Sequence, residues 1–101
     1  MSEIVVSKVR ELISQKSKAI AVGDQSIAVF SLKDTFYAIE NLCPHRGAPL
    51  VDGELEGTLV ICPWHRWEFD VTTGQSPANP AACVKTYPCK VVGDDVVVEV
   101  S

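Results

Sequence analysis

Apolar residues in this chain come in short, β-branched blocks separated by turn-forming residues. Ile4-Val5-Val6 opens the series with side chains that suit a pleated, extended backbone. Ala19-Ile20-Ala21-Val22 and Ile27-Ala28-Val29-Phe30 flank Gly23-Asp24-Gln25, which predicts a hairpin. Lys33-Asp34-Thr35 then turns the chain into Phe36-Tyr37-Ala38-Ile39. Further on, Leu59-Val60-Ile61 leads up to Cys62, and Trp67-Glu68-Phe69 leaves the loop beyond it. A last hairpin pairs a run from Lys85 to Val92 with Val96-Val97-Val98-Glu99-Val100, around Gly93-Asp94-Asp95. Val9, Leu12, Ile13 and Lys16 keep helical spacing and predict a short helical turn. Regular short strands with turn signals between them predict an all-β, antiparallel sandwich or small barrel.

The length, 101 residues, supports a single domain with one core, residues 1–101, and no internal repeat, low-complexity tract or linker divides it. Met1-Ser2-Glu3 is not a basic region followed by an apolar run, so no secretory signal is read there. No apolar stretch nears the roughly 20 residues needed to cross a bilayer. These features predict a cytoplasmic protein without a membrane partner. Nine basic against thirteen acidic side chains leave a net charge of −4, which argues against a nucleic-acid partner.

The chemistry-bearing pattern is Cys43-Pro44-His45 followed by Cys62-Pro63-Trp64-His65, written C-x-H-x16-C-x2-H. Two thiolates and two imidazoles could hold zinc tetrahedrally, in a structural module, or a mixed-ligand [2Fe–2S] centre. Zinc modules more often pair like with like, C-x2-4-C with H-x3-5-H. Here each loop brings one Cys and one His, which suits two irons with different ligands, one from each loop. Pro44, Gly47, Pro49 and Pro63 stiffen or tightly bend the same loops. The chain has only two histidines, and both are spent in this pattern. None remains for a mononuclear iron held by two histidines and a carboxylate, nor for a histidine-activated nucleophile. No G-x-G-x-x-G dinucleotide fingerprint is present either.

CPHRGAPL and CPWHRWEFD, with Thr73-Gly74 after them, closely resemble Rieske-type ferredoxins and small subunits, from about Phe36 to the C-terminus. The resemblance implies an antiparallel β-sandwich with a small cluster-binding subdomain inserted at about residues 41–71. It also implies one [2Fe–2S] cluster, with Cys43 and Cys62 on a buried iron and His45 and His65 on the outer one. Two neutral imidazoles in place of two thiolates make the site less negative, so an added electron meets less repulsion and the potential rises. High-potential Rieske proteins carry a further cysteine in each loop, joined by a disulfide, where this chain has Ala48 and Trp64. They also place hydroxyl donors to sulfur where Trp67 and Phe69 stand, and Phe69 has no donor. Fewer donors point to a potential near the lower end of the Rieske range.

The resulting expectation is an electron carrier, not an enzyme, monomeric when free. By resemblance it passes single electrons from a flavin-dependent reductase to a terminal oxygenase of the aromatic-ring dioxygenase type. The alternative is a resident small subunit of a larger enzyme, such as the large subunit of a nitrite reductase would hold. Arg46 and Arg66 each follow a candidate histidine ligand and predict a positive rim on an acidic protein; many relatives have glycine at the second of these positions. Trp67 is expected in the core, and Trp64 as a core residue or a shield for the cluster. Cys83 and Cys89 would lie roughly 20 Å apart on an extended strand, too far for a disulfide, and are read as reduced and structural.

Overall fold

The computed structural model describes residues 2–33, 35–43, 47–64, 66–77 and 82–100. Their strands are β1 (Ser2–Lys8), β2 (Ser17–Val22), β3 (Gln25–Leu32), β4 (Thr35–Glu40), β5 (Glu54–Glu56), β6 (Leu59–Ile61), β7 (Glu68–Asp70), β8 (Thr86–Tyr87), β9 (Cys89–Val92) and β10 (Asp95–Val100). One helix, α1 (Val9–Gln15), follows β1. The strands form three antiparallel sheets, ordered β1-β10-β9, β2-β3-β4-β8 and β5-β6-β7. The predicted all-β antiparallel architecture is the observed one.

The middle sheet is apolar on both faces. Ile27, Ala28, Val29 and Phe30 of β3 are all buried, and a strand sends successive side chains to opposite sides. Ile27 and Val29, with Ala38 and Tyr87, join Val6, Val96, Val98 and Val100 in one core cluster. Leu12 of α1 is fully buried in that cluster, whereas Ile13 is exposed. The short helix therefore contributes one deep anchor and stops at Lys16, whose left-handed φ of 73° lets its N–H reach the Leu12 carbonyl at 2.7 Å. Ala28, Phe30 and Ile39 enter a second cluster with Val60, Phe69, Val71 and Leu50. Phe30 and Phe69 are its largest fully buried side chains. Each fully buried side chain of this size stabilises the fold by about 1.5–3 kcal/mol relative to exposure.

Three details differ from the sequence reading. The hairpin turns are one residue tighter, because Val22 pairs with Gln25 and Val92 with Asp95, leaving Gly23-Asp24 and Gly93-Asp94 as the loops. The run from Lys85 to Val92 is not one strand. Pro88 lacks an N–H to continue a ladder, and the chain there leaves β4 (Ala38 with Tyr87) and joins β10 (Val98 with Cys89). The remaining thiols also part company: Cys89 packs against the first core cluster, but Cys83 is exposed, at an isolated bridge to Gln75, and is not a core residue. Burial pushes the Cys89 thiol up to about 11.

The turn leaving β7 is organised by Asp70. Its carboxylate accepts from the Thr72 N–H at 2.9 Å, the Thr72 hydroxyl at 2.6 Å and the Thr58 hydroxyl at 3.2 Å, and its carbonyl accepts from the Gly74 N–H at 2.6 Å. Partial burial raises the Asp70 pKa, but the Thr72 and Thr58 hydrogen bonds together outweigh it and hold the group below its ordinary value. A lowered folded-state pKa contributes stability that is present above the unfolded value and lost as pH falls through the folded one. Asp70→Ala is expected to cost about 1 kcal/mol at neutral pH. In urea titrations the difference from wild type should shrink as the pH falls from about 4 downward; a pH-independent difference would contradict this role.

Candidate metal centre

Two loops rise from this framework. The first follows β4 and begins at Asn41, a buried polar residue that uses all of its hydrogen-bonding groups. Its N–H donates to the Ser26 carbonyl at 2.9 Å, and its carbonyl accepts from the Leu50 N–H at 2.5 Å. Its side-chain amide donates to the Ser26 hydroxyl at 3.0 Å and accepts from the Val51 N–H at 2.8 Å. Asn41 thus ties both ends of the first loop to the β2–β3 hairpin, two residues before Cys43. The second loop joins β6 to β7, so Cys62 follows directly on a strand paired on both sides.

Both loops close in the same way. The N–H of each cysteine donates to the carbonyl five residues on: Cys43 to Ala48 at 2.8 Å, Cys62 to Trp67 at 2.6 Å. The carbonyl of each cysteine accepts from the N–H four residues on: Gly47 at 2.7 Å, Arg66 at 3.0 Å. That fourth residue has a positive φ in both loops, 73° at Gly47 and 60° at Arg66. Glycine adopts this conformation freely, whereas an L side chain pays about 1–2 kcal/mol for it.

Cys43 and Cys62 are each only 1% exposed and belong to one apolar cluster with Ala48, Leu50, Val60 and Phe69. Neither is in a disulfide. Two thiols brought into one apolar cluster fit a group that is bound through sulfur and screened from water. His45 and His65, together with Pro44 and Arg46, lie outside the described residues. Trp67, expected in the core, is only half-buried and packs against the same cluster, its ring centroid 6.4 Å from that of Phe69. Trp64 is 57% exposed and is not part of the core.

Residues 2–88 match the model of the Rieske [2Fe-2S] domain family. The chain belongs to that family. Its fold, its paired cysteine loops and the [2Fe–2S] cofactor that the domain implies set zinc aside. A relative in Pseudomonas aeruginosa, the naphthalene 1,2-dioxygenase system ferredoxin component, is 37% identical over 83 residues, which cover 81% of this chain and 80% of that one. The solved ferredoxin of carbazole 1,9a-dioxygenase from Nocardioides aromaticivorans IC177 superposes with a TM-score of 0.90 at 30% identity, over the whole of both chains. A nitrite reductase small subunit from Mycobacterium tuberculosis, described as putative and NADH-dependent, superposes with a TM-score of 0.86 over 99% of this chain and 96% of that one. At 23% identity that likeness shows the shared fold alone. This Rieske chain is an electron-transfer component of the ferredoxin kind rather than a catalyst. Among the described residues, no helix is long and apolar enough to cross a membrane.

The Rieske loops also depend on residues that the motif does not contain. A Cβ on Gly53 would stand 2.1 Å from the Ile61 carbonyl oxygen, one residue before Cys62. Backbone meets backbone there, so nothing flexible can give way. No local pattern announces this contact, because Gly53 and Ile61 meet only in the folded sheet. Asn41 had a weak local signal, an amide side chain next to a turn, but its partners Ser26 and Val51 are set by tertiary packing. Gly53→Ala is expected to destabilise the fold by about 1–3 kcal/mol and to lower the iron content of the purified protein. Urea denaturation and iron analysis check both, and a variant with native stability and full iron would show that β6 can shift without consequence.

Proposed function

We propose that this chain is a low-potential Rieske ferredoxin that holds one [2Fe–2S] cluster and shuttles single electrons to a terminal oxygenase. The observation that carries the reading is the pair of buried cysteines, held by identically closed loops in one apolar cluster. Cys43, His45, Cys62 and His65 are the proposed ligands, within a cluster-binding unit at about residues 41–71. The bound cluster supplies one-electron storage and release. The protein's own part is to fix the ligands: Asn41 pins the first loop, Gly53 lets β6 carry the second close to it, and the two hydrogen bonds at each cysteine restrain its backbone. Rigid loops limit the rearrangement that accompanies a change of charge. The Pseudomonas relative's role in a dioxygenase system supports an oxygenase as acceptor. A flavin-dependent reductase is the proposed donor, the cytoplasm the proposed location, and a monomer the free state.

Purified protein is expected to be red-brown, with two irons and two acid-labile sulfides per chain, and to give a low-average-g EPR signal after one-electron reduction. Colourless protein containing one zinc would sink the reading. Replacing Cys43, His45, Cys62 or His65 by Ala should abolish the native optical and EPR spectra, and any variant that keeps both is not missing a ligand.

The midpoint potential at neutral pH is expected near the lower end of the Rieske range, about −150 mV. Ala48 and Trp64 cannot form the additional disulfide, and Phe69 has no donor. Protein-film voltammetry measures it, and a value well above zero would contradict the low-potential assignment.

A further inference from the structure

The matched loops expose one mismatch. The position four residues after each cysteine needs a left-handed backbone, which glycine supplies without strain in the first loop and Arg66 supplies with strain in the second. The backbone bond from the Arg66 N–H to the Cys62 carbonyl is open to glycine equally, and although Lys16 and Lys33 also have a positive φ, Arg66 alone of the three directly follows a proposed ligand. Arg66 is exposed and, among the described residues, its side chain forms no ion pair and no hydrogen bond, in contrast to Lys8 with Asp95 and Lys90 with Glu3. Asp52 and Glu54 line the same crevice of about 210 Å³, with Cys62 and Pro63, but neither carboxylate comes within ion-pair reach of the guanidinium. A strained, unpartnered and exposed cation therefore stands directly after His65, on a protein of net charge −4.

We propose that Arg66 is a docking residue: its positive charge, kept at the expense of backbone strain, recognises a protein face that presents carboxylates beside its electron-accepting centre. The inference rests on the carrier reading above and adds the chemistry of the partner surface. Without a local positive charge, the overall acidity of the chain would repel such a face. Charge at the rim of an electron-transfer contact acts mainly on encounter rate, and salt screens it.

The test uses full-length, cluster-loaded protein, reduced and mixed in stopped flow with ferricyanide as an anionic acceptor or hexaammineruthenium(III) as a cationic one. Taking the ratio of the two rates cancels any shared change in driving force. Arg66→Gly is expected to melt at a higher temperature than wild type, because the strain is gone. At low ionic strength it should react about threefold more slowly with ferricyanide and faster with the cation, and both differences should fade at high salt. Arg66→Lys keeps both the charge and the strain, so it should retain wild-type rates and gain no stability. An Arg66→Gly protein with wild-type rates for both probes at low salt, or with no rise in melting temperature, overturns the proposal. In either case a reducible cluster in that variant leaves the carrier reading standing, whereas wild-type protein that takes up no electron defeats the carrier reading itself.

Discussion

The structure depends on a sheet that is apolar on both faces. Ile27 and Val29 look one way from β3, Ala28 and Phe30 the other, and all four are excluded from water. Neither face can be left bare, so the chain must build a cover on each side. The termini supply one cover as β1, β10 and β9, sealed at a corner by Leu12. The other cover is the β5–β6–β7 sheet with the two cysteine loops. Cys43 and Cys62 are thus buried by the same contacts that bury Phe30, and the placement of the thiols follows from the requirement to cover the sheet.

Much of this was legible locally. β-Branched blocks gave most of the strands, because burial of the middle sheet demands continuous apolar runs at β3 and β4. The strand Glu54–Glu56 was not legible, since Leu55 is its one apolar residue and its pairing with β6 supplies the order. Pro88 was visible in the sequence, yet the transfer of the chain from one sheet to another depends on the position of β10, which no local pattern encodes. The cysteines and histidines announce their chemistry through spacing. Cys83, beside Val84, reads as a structural thiol, but it lies exposed at an isolated bridge to Gln75, a placement that its neighbours in sequence do not encode.

The loops show how one backbone solution serves two sequences. Closure from the cysteine to the residues four and five places on is shared, although the histidine sits two residues after Cys43 and three after Cys62. The ring of hydrogen bonds is therefore indifferent to where within it the imidazole is carried. Its demand falls instead on the residue that must turn left-handed, and that residue is glycine in one loop and arginine in the other. A sequence pattern marks the ligands of such a loop well and its backbone requirement poorly.

The passage at Pro88 has a consequence for how the molecule comes apart. Within seven residues the chain hydrogen-bonds first to β4 and then to β10, and between them the Pro88 carbonyl accepts from the Glu99 N–H at 2.9 Å. The two sheets that enclose Leu12 are stitched by this segment as well as pressed together by their side chains. Peeling either sheet away pulls the stitch from the other, so the layers are coupled into one cooperative unit.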